Sequence, residues 1–214
     1  MPQPDQLPET IRDLGPVDTL PEDVSGRSLV LVKHAMPFVE SHAPPSSWRL
    51  SEEGRKQSLA LAERLEGYAL ERVVTSEEPK AAESAEIVAE RLGLAWSVAP
   101  ELHEHDRTGA AFGTQKEFES IARTFFENPD SLVWGNETAE RARARFTGGV
   151  RAVLEKHPEG NLALVAHGTV ITLFLTHHED VNPHEFWLRL GLPSYCVLSL
   201  PDFALRDVVF NMGT

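Results

Sequence analysis

The chain has 214 residues, 41% hydrophobic and 25% charged, a globular composition that excludes wholesale disorder. At this length roughly 70% of the unfolded surface is buried on folding, enough for a full core. Its 20 Lys and Arg stand against 33 Asp and Glu, and the net charge of −13 disfavours nucleic acid and anionic membranes, which recruit cationic surfaces. Residues 1–27 are rich in Pro and acidic side chains with little periodic apolar content, and read as a loosely ordered arm. Residues 28–214 read as one domain.

Residues 28–33 form a near-continuous apolar run of strand length, the pattern of a strand covered on both faces. Ser51 caps a helix over 51–67, and residues 70–75 make a second strand. Pro79 suits a first helical position, and Ala81, Ala85, Val88, Ala89 and Leu92 recur at helical spacing until Gly93. A third strand follows over 94–98, then an irregular polar stretch over 100–113. Helices are expected over 115–127 and 138–157, the latter capped by Asn136. Residues 161–166 are a fourth apolar strand, 170–176 an apolar helix, and 195–200 with 204–210 a terminal hairpin. Strands alternating with helices predict an α/β three-layer sandwich around a largely parallel sheet with an antiparallel edge. The single cysteine, Cys196, excludes an internal disulfide. No apolar run approaches the ~18 residues of a membrane span, and the first residues do not resemble a signal peptide, so the expected setting is cytoplasmic.

Two of the most apolar strands run straight into histidine, His34 and His167. Ligands of open α/β sheets bind outside the carboxyl ends of the strands, so two central strands would deliver both imidazoles to one edge. Lys80 falls in the first turn of the helix after the second strand, and Lys33 adjoins His34. Helix N-termini favour anions, and Gly168 and Thr169 open another helix whose N–H groups face the same edge. Taken singly, each lysine reads as a solvated surface charge and each histidine as a satisfied polar residue. Together they describe an anion pocket in an acidic chain, and phosphate is the anion that suits it best.

Five short motifs occur in order: Lys33-His34-Ala35, Leu50-Ser51-Glu52-Glu53-Gly54-Arg55-Lys56-Gln57, Ser76 through Ala85, Leu102-His103-Glu104, and His167-Gly168. In that order the chain resembles the histidine phosphatase superfamily, with its phosphoglycerate mutase-like fold, over roughly residues 28–210. The family's Arg-His-Gly is Lys-His-Ala here, and its second phosphate-clamping arginine is Lys80. Arg grips two oxygens with a planar fork, whereas Lys is a flexible point charge. The resemblance implies a phosphatase for a small phosphorylated substrate, with no cofactor and no metal. Neutral His34 would attack phosphorus, and Glu104 would protonate the leaving oxygen and then activate water. Lys33, Lys80 and His167 would stabilise the phosphoryl oxygens, with Arg107 assisting substrate binding.

Glu137 sits in a segment similar to a Gly-Glu-Ser stretch of some members, though a favourable charge at a helix start explains it as well. Trp48, Phe112 and Trp134 are candidates to line an entrance or simply to pack. Three other readings compete. His103, His105, Asp106, His177, His178 and His184 offer zinc-ligand types but no His-Glu-x-x-His spacing. A protein that binds a phosphorylated ligand without turnover would also suit the Lys exchange. A phosphoglycerate mutase-type phosphotransferase would need more basic residues near the first motif than 36–48 supplies.

Overall fold

Apolar runs pair side by side and helices close over both faces in this computed structural model, which describes residues 12–13, 26–110 and 113–212. In chain order the elements are β1 (Arg12–Asp13), β2 (Ser28–Lys33), α1 (Glu52–Leu65), β3 (Leu70–Thr75), α2 (Pro79–Leu92), β4 (Ala95–Val98), α3 (Gln115–Glu127), α4 (Ala139–Lys156), β5 (Asn161–Ala166), α5 (Gly168–His178), α6 (Pro183–Arg189), β6 (Ser194–Ser199) and β7 (Leu205–Val209). The sheet order is β1-β7-β6-β2-β5-β3-β4. β6 runs antiparallel to both of its neighbours, and the remaining pairs are parallel. The expected hairpin therefore forms, but β6 lies inside the sheet against β2, and β1 takes the edge by pairing Arg12 with Asp207 and Asp13 with Val208. Apart from that pairing, the expected N-terminal arm lies outside the described residues up to Gly26.

The continuous apolar character of β2 follows from its two covered faces. Leu29 and Leu31 enter the core under α3, α4, α5 and α6, while Val30 and Val32 enter the one under α1 and α2. Ser51 caps α1 by accepting from the Gly54 N–H, and Gly93 ends α2 at φ +68°. Thr138, not Asn136, caps α4: its hydroxyl accepts from the Arg141 N–H, whereas the Asn136 N–H donates to the Asp106 carbonyl. α5 begins directly after His167 and is longer than expected, because burial of Gly168 through Leu175 erases any amphipathic signal. α6, capped by Asn182 with Pro183 in its first turn, is an element the sequence reading did not anticipate. Among the described residues no helix is long and apolar enough to cross a membrane.

The second motif holds the chain leaving β2. The Ser51 N–H and hydroxyl both donate to the Met36 carbonyl, and Gln57 Oε1 accepts from the Met36 N–H at 3.1 Å. A Cβ at Gly54 would overlap that same carbonyl, so glycine is needed for the approach. The segment after His34 is thereby tied to the start of α1.

Candidate active site

β2 and β5 are neighbours, with Lys33 opposite Ala166, so the residue after each strand reaches the same edge. The rings of His34 and His167 lie 5.2 Å apart between centroids, at 62°. The expected convergence is therefore present. His34 Nδ1 is 2.8 Å from its neighbour's carbonyl, Ala35 O; a carbonyl only accepts, so Nδ1 carries the proton and Nε2 keeps its lone pair. Burial, then the proximity of His167 and Lys80, drives the His34 pKa well below its ordinary value. Burial does the same to His167, whose Nε2 lies 2.9 Å from Ser76 Oγ and whose Nδ1 is buried without a hydrogen-bond partner. Both imidazoles are neutral at physiological pH.

The cations are tethered. Lys33 Nζ donates to the Leu190 carbonyl at 2.6 Å, at the C-terminus of α6, so the unanticipated helix holds an anticipated cation. Burial pushes the Lys33 pKa down to about 8, with Glu104 opposing the shift. Gly168 makes room for this side chain, because a Cβ there would lie 3.0 Å from Lys33 Cε. Lys80 Nζ donates to the Pro45 carbonyl at 2.7 Å and pairs with Glu78, a residue the sequence reading passed over. The Lys80 and Glu78 side chains are only 6% and 8% exposed, so the pair is effectively dry. The other Glu78 oxygen, Oε1, accepts from the Glu104 N–H at 2.7 Å and stands 3.7 Å from His167 Nε2.

Glu104 occupies the N-terminus of α5. Its carboxylate accepts from the N–H groups of Thr169 at 3.2 Å, Val170 at 3.3 Å and His105 at 2.9 Å, and meets Arg107 at 3.3 Å. Burial alone would raise the carboxyl, but Arg107 and the N–H groups of His105 and Thr169 hold it well below the usual range. Of the two residues expected to offer N–H groups to an anion, Thr169 gives its N–H to the Glu104 carboxylate, while Gly168 leaves space for Lys33. The Arg107 guanidinium lies 4.6 Å from the Trp134 ring centroid and 5.8 Å from that of Phe118.

Glu137 is not a helix-start charge. It forms a two-point pair with Arg145 at 2.8 and 2.9 Å and accepts from the Asp106 N–H, while Arg145 also reaches the carbonyls of Glu101, His103 and Glu104. The pair braces the segment that carries Glu104. Trp134 is 3% exposed and packs against Phe125 and His105, so it does not line an open entrance, while the half-buried Trp48 donates its indole N–H to carbonyls of its own loop. Phe112 lies outside the described residues. The histidines of the zinc reading serve elsewhere: His105 Nε2 meets the Glu137 carbonyl and His184 Nε2 the Glu119 carbonyl. Among the described residues no group of three or more metal-ligating side chains gathers.

Comparison with known proteins places this geometry in a family. Residues 29–208 match the sequence model of the histidine phosphatase superfamily (branch 1). The chain is 30% identical over 141 residues to a Bacillus subtilis protein named uncharacterized phosphatase PhoE, covering 66% of this chain and 70% of that one. It is 26% identical over 151 residues to a probable phosphoglycerate mutase, GpmB, of Cronobacter sakazakii, covering 68% and 65%. Among solved structures, YhfR of Bacillus stearothermophilus superposes with a TM-score of 0.68 at 19% identity, covering 88% of this chain and 98% of that one. A mycobacterial glucosyl-3-phosphoglycerate phosphatase solved with inorganic phosphate gives 0.67 at 24% identity, covering 87% and 98%. With a matching model over most of its length, and with its two strand-end histidines side by side, the chain belongs to the histidine phosphatase superfamily.

Proposed function

We propose that this protein is a phosphatase that hydrolyses a small phosphomonoester through a phosphohistidine on His34. The observation that carries this reading is the state of His34: neutral, with Nδ1–H tied to a carbonyl and Nε2 left to attack, 5.2 Å from a second neutral imidazole. Lys33, Lys80 and His167 supply charge and hydrogen bonds to the equatorial oxygens. The family, together with neighbours that are named phosphatases, supports a phosphoryl group as the reacting unit.

The reaction runs in two balanced steps. A monoprotonated phosphoryl group, or its dianion bound beside a protonated Glu104, brings one proton into the site. His34 Nε2 bonds to phosphorus as the ester P–O bond breaks, and that proton goes to the leaving oxygen. Water then attacks the phosphohistidine while the Glu104 carboxylate takes its proton, releasing phosphate and restoring neutral His34. Glu104 is held ionised by Arg107 and the surrounding N–H groups, which suits the second step directly; in the first it donates only a proton that arrives with substrate.

Rapid quenching during turnover of a radiolabelled phosphomonoester tests the intermediate. Label that is acid-labile, base-stable and confined to the peptide containing His34 is expected. Turnover with no label on that peptide under any quench time overturns the phosphohistidine. The same scheme sets a pH profile. kcat/KM should fall as pH rises past the second ionisation of the phosphoryl group, about 6, because the travelling proton is lost. The fall should steepen above about 8, where Lys33 gives up its proton and with it one positive charge. A profile flat from pH 6 to 9 would contradict both assignments.

A further inference from the structure

The exchange of arginine for lysine at position 80 leaves a problem of aim. A guanidinium presents five N–H donors in a fixed plane, whereas an ammonium rotates freely on a flexible stem. Around Lys80 the structure holds two fixed acceptors, the Pro45 carbonyl at 2.7 Å and the Glu78 carboxylate. Desolvating a carboxylate together with the ammonium it pairs with is only partly offset by their attraction, so a buried Glu78–Lys80 pair is a costly arrangement at a site that recruits anions. It must do something there.

Resting on the phosphatase reading above, we propose that Glu78 is the positioning residue that turns Lys80 into a directed phosphoryl donor. Glu78 and Pro45 take up two of the three ammonium N–H groups and leave the third for the phosphoryl oxygen beside His34 and His167. The Glu78 carboxylate that pairs with Lys80 stands 3.7 Å from His167 Nε2, and the ammonium lowers the proton affinity of both imidazoles, so its charge lies at the histidine pair. The second Glu78 oxygen binds the backbone N–H of Glu104, so one carboxylate registers the cation against the segment that carries the proton acceptor. Lysine at 80 and glutamate at 78 therefore form a matched pair. An arginine at 80 would meet Glu78 fork to fork and give its donors to the protein instead of the substrate.

A double-mutant cycle over Glu78→Gln and Lys80→Arg tests the pairing, with affinity for inorganic phosphate and turnover of p-nitrophenyl phosphate as readouts. Lys80→Arg alone is expected to weaken phosphate binding by about fivefold to tenfold, but by less than about twofold in the Glu78→Gln background. Glu78→Gln alone is expected to lower kcat by about tenfold with KM unchanged or lower, because a repulsive charge leaves while the aim of Lys80 is lost. Thermal melts of all four proteins identify any loss that comes from unfolding. Equal effects of Lys80→Arg in both backgrounds overturn the role of Glu78 while leaving the phosphatase reading intact, provided the wild type labels on His34. A wild type that neither binds phosphate nor turns over substrate overturns both.

Discussion

Replacing His34 with alanine is expected to lower phosphomonoester turnover by a factor on the order of 10⁴ while changing inorganic phosphate affinity by less than about tenfold. The two effects separate because the proposed mechanism assigns the nucleophile and the anion grip to different groups. In it Nε2 of His34 makes the bond to phosphorus, whereas the charge that would hold phosphate sits on Lys33 and Lys80, each anchored independently of the ring. The structural cost is bounded as well. His34 is 6% exposed, and its ring makes one hydrogen bond, to the adjacent carbonyl, worth about 1 kcal/mol net. The variant should therefore fold and bind but not turn over. Activity that persists in folded His34→Ala would show that another group attacks phosphorus, while loss of both binding and activity with an intact melt would make His34 part of the anion grip.

The parts of the site that were legible in the sequence are those whose signal is local. An apolar run ending in Lys33-His34 and another ending in Ala166-His167 already place two imidazoles at strand ends, and the pairing of β2 with β5 makes them meet. The Ser51, Gly54 and Gln57 pattern was visible too, and its work proves to be holding Met36. What was not legible depends on partners far along the chain. Glu78 stands at an undistinguished position between Ser76 and Lys80, and its meaning comes from the backbone of Glu104, 26 residues on. The anchor of Lys33 is a carbonyl 157 residues away, and a carbonyl carries no side-chain signature. α6 has seven residues, too few for a helical period to show, and among the several arginines of α4 nothing local marks Arg145, the one that pairs with Glu137.

That arginine carries the largest expected effect on stability. Arg145→Met should cost about 3 kcal/mol, because removing one partner of a largely buried pair leaves the other with only the Asp106 N–H. The side chains of Arg145 and Glu137 are 12% and 14% exposed, so the stranded Glu137 charge would gain little from water. Three carbonyls, of Glu101, His103 and Glu104, would lose a donor in the same stroke. Glu101 is held at φ +66°, a conformation unfavourable for a side chain with a Cβ, and such a residue keeps its place only while its surroundings enforce it. For a domain of this size each kcal/mol shifts the midpoint by about 2–4 °C, so the melt should fall by roughly 10 °C. Turnover should fall by about 10²-fold under conditions where the variant is folded, since the backbone of Glu104 would lose its Arg145 anchor, leaving its N–H bond to Glu78 and the carboxylate contacts to Thr169, Val170 and Arg107 to place it, and displacements near 1 Å are costly. Adding Glu137→Gln should recover part of the stability by removing the orphaned charge, but not the turnover, because the carbonyls remain unheld. A melt within about 0.5 kcal/mol of wild type for Arg145→Met would mean that the segment from 101 to 106 is held by its other contacts, and that the placement of Glu104 does not depend on this brace.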